Sequence, residues 1–245
     1  MTRWQPPARP RQPGAGGLTD SLIALAGTAD DDSTVGARLE TIAQCCADQL
    51  DDVAFASVTR HGEGGYSTVA VSSKLALAVD EAQYADKSGP CLDTLETGVP
   101  TSVPHIAATM SWPGFRDAAV NLGLRSSLSI PLFAGRGVPT AALNLYGRDP
   151  AGMAPLSSVV LAVYDDASGG DMPGARDGLC PGGRELVAGL VGAFAVRATI
   201  QQAIGMIIAE RQTNADLAYA LLRTSAAATA GSLIEAATAV VADGY

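Results

Sequence analysis

The chain has 245 residues, 16 of them basic and 25 acidic, giving a formal charge of −9, with 47% hydrophobic and 17% charged residues. This composition describes a well-cored globular protein and excludes a disordered one. The acidic balance excludes a general affinity for nucleic acid, where neutralised phosphate supplies most of the binding, so any such contact must rest on a local constellation.

Length predicts one or two domains. No uninterrupted apolar run approaches the ~20 residues of a membrane span. Met1 to Gly17 holds prolines, arginines and glycines without the apolar centre of a secretory signal. The expectation is a cytoplasmic protein with no membrane partner. Cys45, Cys46, Cys91 and Cys180 form neither a CxxC pair nor a Cys/His spacing. They predict reduced small hydrophobes, with no disulfide framework, no zinc and no cofactor.

In chain order, residues 1–17 read as a disordered basic tail carrying Arg3, Arg9 and Arg11. Leu18–Ala26 is a short amphipathic helix. Asp30-Asp31-Asp32-Ser33 offers cap chemistry to a helix near Thr34–Leu50, whose buried stripe is Leu39, Ile42, Ala43, Cys46 and Leu50. Strands follow at Val53–Thr59 and Tyr66–Val71 around the turn Gly62–Gly65, then a helix at Lys74–Gln83. Gly89-Pro90-Cys91 starts a helix that Gly98 ends as a C-cap glycine. Val99–Val103 is a strand, Arg116–Leu122 a helix, and Ser126–Phe133 with Thr140–Tyr146 a hairpin joined at Ala134–Gly137. Leu156–Tyr164 closes this part as a helix. The order predicts an α+β domain with one mainly antiparallel sheet and helices on at least one face. Its pocket is expected between the sheet and the loops Tyr84–Cys91 and His105–Phe115.

Asp165 to Gly183 is dense in Gly, Asp and Pro and predicts a flexible tether between separate modules. Glu185–Glu210 then carries an apolar stripe at Leu186, Leu190, Ala193, Ile200, Ile204 and Ile207, the spacing of a helix seeking a partner helix, with Arg197 interrupting it. Two shorter helices follow, one around Leu217–Leu222 and one around Leu233–Val241. Three such helices bury little by themselves, so they are expected to lean on a second copy or on the rest of the chain.

Arg197, Ile200, Gln202-Ala203, Gly205, Ala218-Tyr219, Leu222-Arg223 and Leu233 make the end of the chain resemble an ANTAR domain, over about residues 185–242. Gly89-Pro90-Cys91-Leu92, Gly98, Trp112-Pro113, Gly123, Ser126, Pro131-Leu132 and Leu143-Asn144-Leu145-Tyr146 resemble the GAF sensory domains found ahead of ANTAR modules in actinobacteria, over roughly residues 34–166. The resemblance implies a GAF-like antiparallel sheet with flanking helices, followed by an all-α three-helix ANTAR-like module. The organisation it gives is a tail at 1–17, a GAF-like domain with its preceding helix at 18–166, a linker at 167–184 and an ANTAR-like module at 185–245.

It further implies a transcription antitermination regulator, in which the GAF-like part answers a small-molecule or protein signal. The helices would bind RNA hairpin loops of a nascent transcript, as a homodimer formed through the long helix. Loops suit protein readout because their bases can be splayed out. Arg197 and Arg223 are then candidates for phosphate pairing or base stacking, Gln202 for a base edge, Thr229 for a phosphate oxygen and Gly205 for close helix approach. Gln202 as a solvated residue and Arg197 in a salt bridge remain open beside these roles. Cys91, Trp112 and Asn144 are the ligand-pocket candidates.

The chain departs from the family pattern at Ile204, where many ANTAR domains carry lysine. It departs again at Ala226, Ala228, Ala230, Gly231 and Ser232, where serine, asparagine and basic residues are usual. These departures keep a rival reading open, an interaction protein that dimerises without RNA. No enzyme is expected: His61 and His105 are isolated, and phosphate-loop and nucleophile-elbow motifs are absent from the sequence. A thiol-active Cys91 at a helix start is the remote alternative, set against a packed core thiol.

Overall fold

A computed structural model of the chain describes residues 17–31, 33–62, 64–165, 178–229 and 231–243. The expected basic tail, most of the expected linker and Ala230 lie outside the described residues. Helices α1 (Leu18–Ala26) and α2 (Val35–Gln49) lead into the hairpin β1 (Val53–Gly62) and β2 (Gly65–Val71). Next come α3 (Lys74–Asp86), α4 (Pro90–Thr97), β3 (Thr101–Val103), a 3-10 turn at Ile106–Ala108 and α5 (Pro113–Asn121). The hairpin β4 (Ser126–Phe133) and β5 (Pro139–Gly147) and helix α6 (Pro150–Asp165) complete the first part. Helices α7 (Pro181–Arg211), α8 (Ala215–Ala228) and α9 (Leu233–Asp243) form the second.

The sheet is antiparallel throughout, in the order β2-β1-β5-β4-β3. Side chains alternate between its faces, as the two-residue strand period requires. Ala56, Val58, Leu128, Ile130, Leu132, Ala141, Leu143 and Leu145 point into one apolar core, packed with α1, α2, α6 and the start of α7. Ser57, Thr59, Ser129, Asn144 and Tyr146 point the other way, beneath α3 and α4. Helices therefore cover both faces.

Several starts differ from the sequence expectation because local caps act further upstream. Helix α5 begins at Pro113, three residues earlier than the periodicity suggested, with proline in the first turn, where its missing N–H costs nothing. Helix α6 begins at Pro150, where Asp149 Oδ1 accepts from the Ala151 N–H at 3.0 Å, and continues through Pro155 at the expense of one internal bond. Ser232 and Glu235 form a reciprocal capping box that opens α9, so this serine is a helix cap. Thr34 holds the cap position of α2, and Asp30 and Asp31, expected to offer cap chemistry there, turn to α8 instead.

The expected linker runs to Gly183, but where its end is described the chain is already helical. Cys180 is the N-cap of α7, its Sγ accepting from the Gly183 N–H at 3.3 Å, and Gly182 and Gly183 are buried. A Cβ on Gly182 would stand 2.2 Å from the Gln49 carbonyl, and one on Gly189 would meet Leu22 at 2.6 Å. These glycines serve close packing of α7 on α2 and α1. The α7 stripe consequently divides between two cores. Leu186 and Leu190 belong to the sheet core, while Ile200, Ile204 and Ile207 join Leu222, Leu233, Ala237 and Val240 in a three-helix core. The helix leans on its own chain, and the two halves share it.

An 18-residue stretch of α7 has mean hydropathy 1.4, enough by length and composition to cross a membrane, although charges interrupt the apolar run of the helix. Here that helix packs on the sheet core through Leu186, Val187 and Leu190.

Candidate functional site

The face of the sheet under α3 and α4 is polar and fully packed. Its centre is Asp80 on α3, a carboxylate with no exposed surface. Asp80 Oδ1 accepts from Tyr146 Oη at 2.6 Å and from Asn144 Nδ2 at 3.4 Å, and Oδ2 accepts from Thr68 Oγ1 at 2.9 Å. Asn144 Nδ2 also donates to Thr59 Oγ1 at 3.0 Å and Ser57 Oγ at 3.3 Å, and its Oδ1 accepts from Ser129 at 3.0 Å. Tyr84 Oη lies 2.9 Å from Thr59 Oγ1 and 2.7 Å from Thr68 Oγ1. Gln83 bridges this network to α4, donating to Tyr146 Oη at 3.3 Å and accepting from the Cys91 N–H at 3.0 Å. Ser127, on the same face, keeps a buried hydroxyl without a hydrogen-bond partner.

Burial pushes the Asp80 carboxyl up to about 6, against the opposing pull of hydrogen bonds from Tyr146, Ser57, Thr68 and Asn144. Such a strongly shifted acid held by a built network has the physical character of a functional centre. The signal was present in the sequence: Asp80 and Gln83 fall on the buried stripe of α3 with Ala76 and Val79.

The pocket candidates divide. Asn144 is central to the network, and Cys91 joins it through its backbone. Burial, then the nearby Asp80, push the Cys91 thiol far up, which opposes a reactive thiolate. Trp112 lies apart, edge-on to Phe115 with ring centroids 6.4 Å apart. The space expected between the sheet and the Tyr84–Cys91 segment is filled by side chains. A surface depression of about 400 Å³ lies beside His105 and Ala107 of the second expected loop, with Val120, Leu124 and Arg125.

The C-terminal candidates also separate. Gln202 and Gly205 lie together on the exposed side of α7, and nothing approaches within 4 Å of the place a Gly205 Cβ would take. The close helix approach expected at Gly205 is therefore not made within the chain. Ile204, which stands where lysine was expected, is buried in the three-helix core. Thr229 caps the end of α8, its hydroxyl donating to the Ser225 and Ala226 carbonyls at 3.2 and 3.1 Å. The two arginines face the first part of the chain. Arg197 Nε donates to the Gly137 carbonyl at 2.8 Å, with its guanidinium 4.0 Å from the Phe133 ring centroid, in place of the salt bridge left open from sequence. Partial burial lowers its pKa. Arg223 Nη2 donates to Asp31 Oδ2 at 2.5 Å.

Around these contacts lies a cluster that the sequence did not reveal. Tyr219 Oη donates to Asp30 Oδ1 at 2.9 Å, and burial pushes its own ionisation up to about 12. Arg136 pairs with Asp216 at 2.5 Å and Asp30 at 3.6 Å. The Arg136 and Arg223 guanidinium carbons lie 5.8 and 5.7 Å from the Tyr219 ring centroid. Gln201 Nε2 donates to the Arg136 carbonyl. Gly135 and Gly137 hold left-handed conformations, φ +59° and +81°. Added Cβ atoms there would stand 2.3 Å from Tyr219 Oη and 2.6 Å from Gln201 Nε2. Glycine is thus required twice over, by conformation and by proximity.

No curated protein matches this chain. A family model described as GAF domain matches residues 33–156, about half of the chain and the span from the approach to α2 into α6. A model described as ANTAR domain matches residues 188–241, which cover most of α7 with α8 and α9. Neither match distinguishes an actinobacterial type. With the five-stranded antiparallel sheet and the three helices behind it, the chain belongs to the GAF domain family and carries an ANTAR domain after its GAF domain.

Proposed function

We propose that this protein is a cytoplasmic, non-enzymatic signalling regulator in which the GAF domain governs binding of the ANTAR helices to RNA hairpins, preventing transcription termination. The observation that carries the reading is the pairing of an ANTAR match with an uncharged exposed face on α7 that presents Gln202 and Gly205. Gln202 would read a base edge; Arg223 on α8 would meet phosphate or stack on a base, with Arg197 on α7 beside it and Thr229 at the end of α8. The sensor centre would be the Asp80–Asn144–Tyr146 network, with Cys91 at its border and Trp112 outside it. A small-molecule or protein signal would act there.

The partner on α7 would be a second copy. Ala188, Val191, Ala195 and Ala198 alternate by three and four along the helix and are all exposed, a seam for a close-packed helix pair that stops short of Gln202. Of the apolar 18-residue window only 22% is buried within the chain. This seam also favours the second reading, a protein that dimerises without RNA.

A gel shift of the full chain against an RNA of two stem-loops, over a salt series, tests the proposal. Salt-sensitive binding that a scrambled single strand does not reproduce supports it. No binding at low salt leaves the dimerising protein.

A further inference from the structure

We infer that Asp30, Asp31 and the β4–β5 turn occupy the arginine face of α7 and α8 in the place of RNA phosphate, so that the closed contact and RNA exclude one another. The inference rests on the RNA reading above and adds its control. Two arginines of this face are each met by an oxygen of the first part of the chain, Arg223 by the Asp31 carboxylate and Arg197 by the Gly137 carbonyl, and Asp30 accepts from Tyr219 beside them. A phosphate oxygen would make the same charge-assisted contacts.

Nothing local requires the two aspartates to lie there. They sit just ahead of α2, yet both carboxylates reach across more than 180 residues of sequence to α8. In a chain of net charge −9, these oxygens engage two guanidiniums that could otherwise draw RNA, the Asp31 carboxylate offsetting the charge of Arg223. The contact is also suited to opening. Arg223 and Asp31 remain 40% and 59% exposed at the side chain, and an exposed pair of this kind shifts an equilibrium by about fivefold or less.

The turn connects this cover to the sensor centre. Ser129 and Asn144 lie on β4 and β5, the strands that end in the turn holding Arg197. Asn144 is seven positions from Gly137, on the order of 20 Å along a strand. A signal that reorders the Asn144 network would act on the turn directly, through two hydrogen-bonded strands.

The test measures affinity of the full chain for the two-stem-loop RNA at one fixed salt concentration. Asp31→Asn is expected to tighten binding about three- to fivefold and Asp30→Asn with Asp31→Asn about tenfold. Glu96→Gln, an equal change of charge on exposed α4, is expected to stay within twofold. Adding Arg223→Ala to Asp31→Asn should abolish the gain, and amide exchange of residues 28–31 should rise when RNA binds. If the wild type binds RNA but Asp31→Asn gains no more than Glu96→Gln, the cover is refuted while the RNA reading stands. If no variant binds RNA, both fall.

Discussion

Arg197 and Gly137, sixty positions apart, are joined by a hydrogen bond of 2.8 Å, and the guanidinium that makes it lies flat enough on Phe133 to bring its carbon within 4.0 Å of the ring centroid. The charge that breaks the apolar stripe of α7 is therefore a tie between the two parts of the chain. Arg197→Ala is expected to cost about 2 kcal/mol, from one charge-assisted hydrogen bond and a partly desolvated cation–π contact. Arg197→Lys should recover less than half of it, because an ammonium cannot stack as a plane. Chemical denaturation of the three proteins checks this.

Gly137 carries the other side of the tie. Gly137→Ala places a Cβ in a left-handed backbone and 3.0 Å from Arg197 Nε. The expected loss is about 1–3 kcal/mol. Amide exchange should accelerate in the Arg197–Gln201 turn of α7 and not at its Leu186–Leu190 end, which is anchored in the sheet core. Uniform acceleration along the helix would contradict this division.

Asp80 gives a pH dependence of definite sign. Its carboxyl holds a proton up to about 6 in the folded chain and up to 3.8 in an unfolded one, so the folded state binds more protons between those values. Stability from this group is full below about 4, falls as pH rises to about 6, and stays lower above. The loss is on the order of 3 kcal/mol. Asp80→Asn should flatten the fall and raise the melting temperature at pH 7 while leaving it nearly unchanged at pH 4. Melting curves across pH 4 to 7 measure both effects. A melting temperature at pH 7 below that of wild type would mean that the ionised form is the stabilised one.

The thiols differ in access. Cys46 and Cys91 are fully buried and pushed far up by burial, whereas Cys45 and Cys180 are partly exposed. Alkylation of the native chain at pH 8, read by peptide mass, should label Cys180 and Cys45 before the other two. Rapid labelling of Cys91 would revive the thiol-active alternative.

The exposed seam of α7 predicts that Val191→Glu halves the solution mass seen by light scattering. Val191 is 42% exposed and packs on no core of the chain, so the same change should leave the far-ultraviolet spectrum intact. A wild type that is already monomeric at micromolar concentration would refute the dimer.

Most elements were legible because their causes are local. Pro90 opens α4 and Gly98 closes it, strand alternation marks β4 and β5, and the α7 stripe follows from helical period alone. The structure departs from the sequence expectation where a cap lies beyond the apolar pattern, as at Pro113 and Pro150, or where glycine serves packing, as at Gly182. Asn144 was legible as an amide inside an apolar strand. Asp80 was legible only as a polar residue on the buried stripe of α3, and its contacts with Tyr84 and Thr68 were not, because strand and helix periods fix which way a side chain points and not what it meets.

The order of elements and the stripe on α7 follow from backbone preference and hydrophobic period, and the two family resemblances from motif residues such as Gly205 and Trp112-Pro113. That this stripe serves two cores, that Asp30 and Asp31 face α8, and that Arg197 and Arg223 are held by the GAF side emerges only in the folded chain. The physical reason is range. Period and capping act over a few residues, whereas an ion pair or a close glycine contact joins positions that the chain leaves sixty to almost two hundred residues apart until it has folded.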